Sequence, residues 1–124
     1  GCPVPTIPNG KRIGGKSPPY KLGNFVEYKC EDGYTMKGEA FIVCRANGWD
    51  PEPPTCIAVK CSAPPAIENG QLEDEALESY DYLEAVSYRC NRGLNLIGQS
   101  TLHCSEDGTF KPDPPKCVVY CSFT

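Results

Sequence analysis

Nine cysteines in 124 residues are the side chains with the most chemistry to offer. Thiols can ligate zinc, attack a substrate or oxidise to disulfides. A zinc site wants two close pairs, often with histidine, converging on one tetrahedron. The close pairs here are Cys56/Cys61 and Cys117/Cys121, and His103 is the sole histidine. A nucleophile needs a base and an orienting group, and His103, just before Cys104, has no such set in view. Gly14-Gly15-Lys16-Ser17 carries the Gly-Lys-Ser of a phosphate loop, but no helical segment follows it, so it reads as an ordinary loop. Glu73 and Glu75 lie in an exposed acidic stretch, without the desolvation that raises a catalytic carboxyl pKa. There is no Gly-x-Ser-x-Gly and no HExxH. The expectation is a protein without catalysis, cofactor or metal.

Spacing and compartment rules favour oxidation of the thiols. Disulfides persist outside the cytosol, so an extracellular setting, secreted or at a cell surface, is expected. The chain opens on no signal-like apolar segment and contains no run of 18 apolar residues, so it reads as a mature or excised soluble fragment. It has no Asn-x-Ser/Thr sequon, and N-glycosylation of this segment is not expected.

The cysteines recur in a pattern. Cys2, Cys30, Cys44 and Cys56 are followed by Cys61, Cys90, Cys104 and Cys117 at nearly the same gaps. Val26, Tyr28, Cys30, Gly33, Gly38 and Cys44 return as Val86, Tyr88, Cys90, Gly93, Gly98 and Cys104. A fixed period means one supersecondary unit made twice. The expected boundaries are 1–56 and 61–117, with 57–60 as linker and 118–124 as a second linker and the start of a truncated third unit. Cys121 would open that third unit. An intermolecular bridge is the other use of an odd cysteine. Within a unit, four cysteines leave three pairings open.

Units this small bury only about 60% of their unfolded surface, so covalent staples would matter. The elements that must carry them read as β. Asn24–Cys30 and Ala85–Cys90 alternate and are rich in Val, Tyr and Phe; Ala40–Cys44 and Ser100–Cys104 are the next short strands. Gly33–Gly38 and Gly93–Gly98 are spaced as hairpin-like turns between them. Asn9-Gly10, Asn47-Gly48, Asn69-Gly70 and Asp107-Gly108 are turn dipeptides. The prolines at Pro51–Pro54 and Pro112–Pro115 lack N–H groups and suit extended edges. Leu72–Leu83 reads as a solvated acidic loop. The linker Ile57-Ala58-Val59-Lys60 is short and apolar, unlike a Gly/Ser tether.

Tyr-x-Cys at Tyr28–Cys30 and Tyr88–Cys90, a glycine soon after at Gly33 and Gly93, Trp49 before the fourth cysteine, and Pro-Pro-x-Cys at the end of each unit form a combination. It resembles the complement control protein module, also called the sushi or short consensus repeat. The resemblance covers nearly the whole chain. It implies an all-β fold of two tandem small disulfide-stapled modules in an elongated rod. It also implies the bridges Cys2–Cys44, Cys30–Cys56, Cys61–Cys104 and Cys90–Cys117. Phe110 stands where the second unit would carry the family's tryptophan. Lys11–Lys21 with Leu22–Cys30, and the Ile57–Lys60 linker, are similar to segments of complement regulators and receptors.

The charge is uneven. Net charge is −4. Residues 2–56 hold seven basic and six acidic side chains, while 61–117 hold four basic and ten acidic. The acidic excess collects at Glu68, Glu73, Asp74, Glu75, Glu78, Asp81 and Glu84. The basic excess collects at Lys11, Arg12, Lys16 and Lys21, in a loop expected before the first strand. Charged loops on rigid scaffolds keep a module soluble or carry binding. With Lys60, these basic residues are the expected binding set. The resemblance implies a non-catalytic protein-binding ectodomain of a complement regulator or receptor. Its ligands would be activated C3 and C4 fragments of the C3b, C4b or C3d type, and its effect would be to limit complement activation on host cells. The alternative is an adhesion or virus-attachment receptor whose partner lies outside complement. Neither nucleic acid nor membrane contact by this fragment is expected.

Overall fold

The computed structural model describes residues 1–119; the expected third-unit cysteine, Cys121, lies outside them. The chain divides into two compact units, the first Gly1–Ala58 and the second from Val59 onward. No helix occurs among the described residues.

Unit 1 contains β1 (Gly10–Gly15), β2 (Phe25–Cys30), β3 (Tyr34–Lys37), β4 (Phe41–Arg45), β5 (Gly48–Asp50) and β6 (Thr55–Ala58). Its main sheet runs β1-β2-β4-β5, and β3 pairs with β6. Unit 2 contains β7 (Lys60–Cys61), β8 (Gly70–Leu72), β9 (Tyr80–Asp81), β10 (Ala85–Cys90), β11 (Asn95–Ile97), β12 (Thr101–Cys104), β13 (Phe110–Lys111) and β14 (Lys116–Val118). Its main sheet runs β13-β12-β10-β8, with β11-β14 and β7-β9 as pairs. All pairings are antiparallel.

The period-2 pattern decides which side chains go inward. Val26 and Tyr28 face the core from β2, and Ile42 and Cys44 face it from β4. Val86, Tyr88, Leu102 and Cys104 repeat the arrangement in unit 2. Among the described residues each core holds seven buried side chains, two of them half-cystines. Four disulfides complete the units: Cys2–Cys44, Cys30–Cys56, Cys61–Cys104 and Cys90–Cys117. They close stretches of 42, 26, 43 and 27 residues. On the chain-entropy account each contributes about 3.5–4 kcal/mol. That is more than the roughly 1.5–3 kcal/mol from burying one large apolar side chain.

The aromatic near the fourth cysteine caps each core edge-on. Trp49 meets buried Tyr20 with ring centroids 5.1 Å apart, and Phe110 meets buried Tyr80 at 5.3 Å. The indole also donates from Nε1 to the Pro3 carbonyl at 2.7 Å; phenylalanine has no such donor. Tyr88 donates its hydroxyl to the Pro65 carbonyl at 2.6 Å, and burial raises its pKa.

Four local expectations change in the folded chain. First, Gly33–Gly38 and Gly93–Gly98 are not simple turns. Positive φ at Gly33 and Gly38 bends the chain at both ends, and the residues between form β3, long enough to pair Tyr34–Lys37 with Thr55–Ala58. β11 does the same against β14. Second, Ile57 and Ala58 do not hang between units, because they continue β6 in that pairing. Third, Leu72–Leu83 is not one loop. Leu72 ends β8, and Tyr80 is a core residue in β9, leaving 73–79 as the loop. Fourth, the first strand of unit 1 is β1, so Lys11 and Arg12 lie on a strand and not in a loop.

The repeated Asn-Gly has a packing reason beyond turn geometry. Asn9 and Asn69 take the positive φ, at 63° and 59°. The glycine that follows sits against the second cystine. A Cβ on Gly70 would stand 2.6 Å from Ile67 Cδ1, 2.7 Å from the Arg89 carbonyl oxygen and 2.8 Å from Cys117 Sγ. Backbone and a half-cystine cannot yield cheaply. Gly70→Ala is therefore expected to cost about 1–3 kcal/mol of unfolding free energy by overpacking, read from denaturant unfolding with disulfides intact. An unchanged midpoint would show that the turn can relax around the methyl group.

Candidate protein-binding surface

The basic residues of unit 1 sit on a segment tied down at several points. Arg12 turns its guanidinium back onto the chain. Nη1 donates to the carbonyls of Gly15 (2.9 Å) and Lys16 (2.8 Å), and Nη2 donates to Ser17 Oγ (3.2 Å). Arg12 thus shapes the start of the β1–β2 connection, and much of its donor capacity is spent there. Tyr20, buried, anchors the middle of that connection and forms an antiparallel bridge with Cys2. The far end is a turn. Asn24 N donates to the Lys21 carbonyl, Lys21 N donates to Asn24 Oδ1, and Gly23 N reaches the Cys44 carbonyl on β4. Lys16 and Lys21 project, exposed, on either side of the Tyr20 anchor.

Lys11 stands directly opposite Lys29 across β1 and β2. Both are exposed, and neither has an ion-pair partner among the described residues. Like charges in that relation destabilise a sheet. Lys29 was not in the sequence-derived set, though the parity of Phe25, Glu27 and Lys29 against Val26, Tyr28 and Cys30 places it on the solvent face.

Lys60 belongs to unit 2. It opposes Asp81 in the β7–β9 pair, and its ammonium forms an ion pair and hydrogen bond with the Asp81 carboxylate. That hydrogen bond, then the Asp81 charge, raises the Lys60 pKa. The structure therefore groups Lys11 with Lys29, and Arg12 with the backbone of Lys16, and it commits Lys60 to Asp81.

Gly10–Ser17 meets the full G-x-x-x-x-G-K-S spacing, with Gly10 as the first glycine. The fold gives it another use. Gly10–Gly15 is a strand paired with Val26–Cys30, bulged between Arg12 and Gly14, and no helix follows. The phosphate cradle depends on a loop opening into a helix N-terminus, and that geometry is not formed here.

The acidic stretch of unit 2 is tied down at its start, where Glu73 N donates to the Ser87 carbonyl at 2.9 Å, and in its middle by buried Tyr80. Leu77 N donates to the hydroxyl of Tyr80 at 2.8 Å. The loop borders a groove of about 260 Å³ whose lining includes Leu72, Leu77 and Val86 with Asp74, Glu75 and Glu84. Further along, Asp107 organises the β12–β13 hairpin. Its Oδ1 accepts from Ser105 Oγ (2.6 Å), Thr109 Oγ1 (2.6 Å) and Thr109 N (3.0 Å), and Oδ2 meets Lys111 Nζ at 3.0 Å. The hydrogen bond from Ser105, then those from Thr109 and Lys111, holds the Asp107 carboxyl well below the usual carboxylate range. The folded-state pKa is depressed. The contribution is therefore present above the ordinary Asp value of about 3.9 and is lost as pH falls through the lower folded value. Carboxyl ¹³C titration is expected to place the Asp107 midpoint below that ordinary value, with faster exchange of the Thr109 amide once it protonates. A midpoint at or above the ordinary value would contradict these hydrogen bonds.

Comparison with known proteins adds the context. The family model described as Sushi repeat (SCR repeat) matches residues 2–56 and 61–117. C4b-binding protein alpha chain of Bos taurus is 37% identical over 122 residues, covering 94% of this chain and 20% of that protein. Complement receptor type 2 of Homo sapiens is 37% identical over 119 residues, covering 95% and 11%. Complement control protein C3 of Vaccinia virus (strain Western Reserve) is 40% identical over 114 residues, covering 92% and 42%. The chain thus spans well under half the length of each of these relatives.

Proposed function

The chain belongs to the Sushi repeat family, and from that membership we propose that it is a non-catalytic, protein-binding part of an extracellular complement regulator or receptor. Its ligands are activated C3 or C4 fragments of the C3b, C4b or C3d class. Binding limits complement activation by bridging and surface competition, without chemistry of its own. The observation that carries this reading is the likeness, over nearly the whole chain, to relatives named for binding C4b, for receiving complement and for controlling it. Four disulfides support the extracellular setting.

The surface of unit 1 supports a binding role of this kind. Lys11, Lys16, Lys21 and Lys29 are exposed cations on a segment pinned by Arg12, Tyr20 and Asn24. Cations so placed steer an acidic partner and fix register more than they add raw affinity. Lys60 contributes less, because Asp81 already neutralises it. Arg12 acts through the loop that it shapes.

Surface plasmon resonance against immobilised C3b, C4b and C3d tests the reading. At least one fragment is expected to bind, with affinity falling as salt rises, since the screening length is about 8 Å at physiological ionic strength. Lys11→Glu and Lys16→Glu are expected to slow association by roughly tenfold, while Lys60→Gln leaves the on-rate near wild type. Silence of the unaltered chain against all three fragments would sink the proposal.

A further inference from the structure

The two units offer an internal comparison, because the same sheet is built twice with different solvent faces. In unit 1, Phe25 on β2 and Phe41 on β4 stack with centroids 4.8 Å apart and planes 21° from parallel. Both are large and exposed, at 42% and 49%. Val43 lies on the same face, directly opposite Phe25. The equivalents in unit 2 are Ala85, Thr101 and His103, and there Ser87 Oγ and Thr101 Oγ1 bond at 2.9 Å. The fold therefore stands without an aromatic pair at this place. Stacked rings left in water forgo the hydrophobic gain that their burial would bring.

The charges around the stack also differ between the units. Lys11 and Lys29 oppose each other at one end of the face, and Arg45 closes β4 at the other. The acidic groups that strand pairing puts on the face are Glu27 and Asp50. Glu27 lies over β1, with Oε1 3.3 Å from where a Cβ of Gly14 would be, on the side of β2 away from Phe41. Asp50 pairs across from Val43. In unit 2 the Lys11/Lys29 pair becomes Gln71 opposite Arg89, without like-charge repulsion. Ser87 and Lys111 stand in unit 2 where unit 1 has Glu27 and Asp50.

We propose that this face of unit 1, centred on the Phe25–Phe41 stack and flanked by Lys11, Lys29 and Arg45, docks a partner-protein surface presenting an apolar side chain among carboxylates. An aromatic centre with a charged surround is the arrangement in which interface energy concentrates. The basic flanks select an acidic partner, and the corresponding face of unit 2, with Ala85 and Thr101 at its centre, lacks the aromatic stack that would hold the partner's apolar side chain. The proposal rests on the protein-binding reading above for the partner's identity, but not for the chemistry of the face.

Unit 2 supplies the test variant. Phe25→Ala with Phe41→Thr installs the residues that an equivalent sheet already tolerates, and retained disulfides with a cooperative melt confirm its folding. The ¹⁵N-labelled chain is titrated with an end-blocked Asp-Leu-Asp-Phe-Asp peptide and, separately, with Lys-Leu-Lys-Phe-Lys. The acidic peptide is expected to shift amides around Phe25, Phe41, Val43 and Lys29, and to bind at least about tenfold more weakly to the double variant, as loss of a hot spot would give. The basic peptide should leave those amides still. Shifts confined to other regions, no shifts at all, or equal response of wild type and variant would overturn the proposal. On C3b, C4b and C3d surfaces, a fragment bound by wild type should bind the double variant at least tenfold more weakly; equal binding overturns the proposal. If wild type binds none of the three, the complement assignment fails and the peptide titration alone decides the face. A concentration-dependent dimer in sedimentation, abolished by the double variant, would show that a second copy covers the stack and would overturn the acidic-partner proposal.

Discussion

Each unit is held by a core that is too small to hold itself. Seven buried side chains cannot offset the conformational entropy of nearly sixty residues. Two cystines per unit lessen that entropy by constraining the unfolded chain, and two of the four half-cystines lie among the buried seven. Cys30–Cys56 joins the main sheet at β2 to the small pair at β6, and Cys2–Cys44 ties the start of the chain to β4. The rest follows from those fixed points. Gly10 and Gly70, after Asn9 and Asn69, each lie against a half-cystine, Cys56 and Cys117, and the aromatic before the last cysteine caps the core edge-on.

Because covalent links and a few inward positions hold the fold, the outward positions are released for other uses. The duplication makes this visible within one molecule. Tyr88 and Tyr28, Leu102 and Ile42, and Val86 and Val26 occupy matching inner places with little change. On the outer face the two sheets diverge, with an aromatic stack and opposed lysines in one, and a hydroxyl pair and an amide–guanidinium register in the other. Burial constrains the inner set through shape. The outer set answers to what the surface meets, which is why the differences between the units inform function more than the similarities do.

Much of this was legible in the chain itself. The strands β2, β4, β10 and β12 could be read from alternation, and the turn asparagines at Asn9 and Asn69 from the Asn-Gly pairs. The short strands were not. β1 is Gly-Lys-Arg-Ile-Gly-Gly, with one apolar residue, exposed at the bulge. It is a strand because β2 offers it hydrogen-bonding partners, which no local propensity encodes. β3 hides between two glycines that look like a turn. Tyr80 hides in an acidic stretch that looks solvated, and only its place beneath Phe110 draws it inward.

Among the candidate binding residues the division is similar. Residue types and their clustering marked Lys11, Arg12, Lys16 and Lys21, because charge is a property each residue carries wherever it lies. Which cations act together is a matter of register. Strand pairing sets Lys29 beside Lys11, backbone carbonyls occupy Arg12, and Asp81 neutralises Lys60. By itself, then, the sequence determined the repeat, the cysteine spacing and the all-β character, since these follow from spacing and alternation along the chain, while the pairing of the cysteines rested on the family resemblance. Only the tertiary structure decided the small strands, the company each charge keeps and the stacking of Phe25 on Phe41, since each arises between segments that meet only when the chain folds.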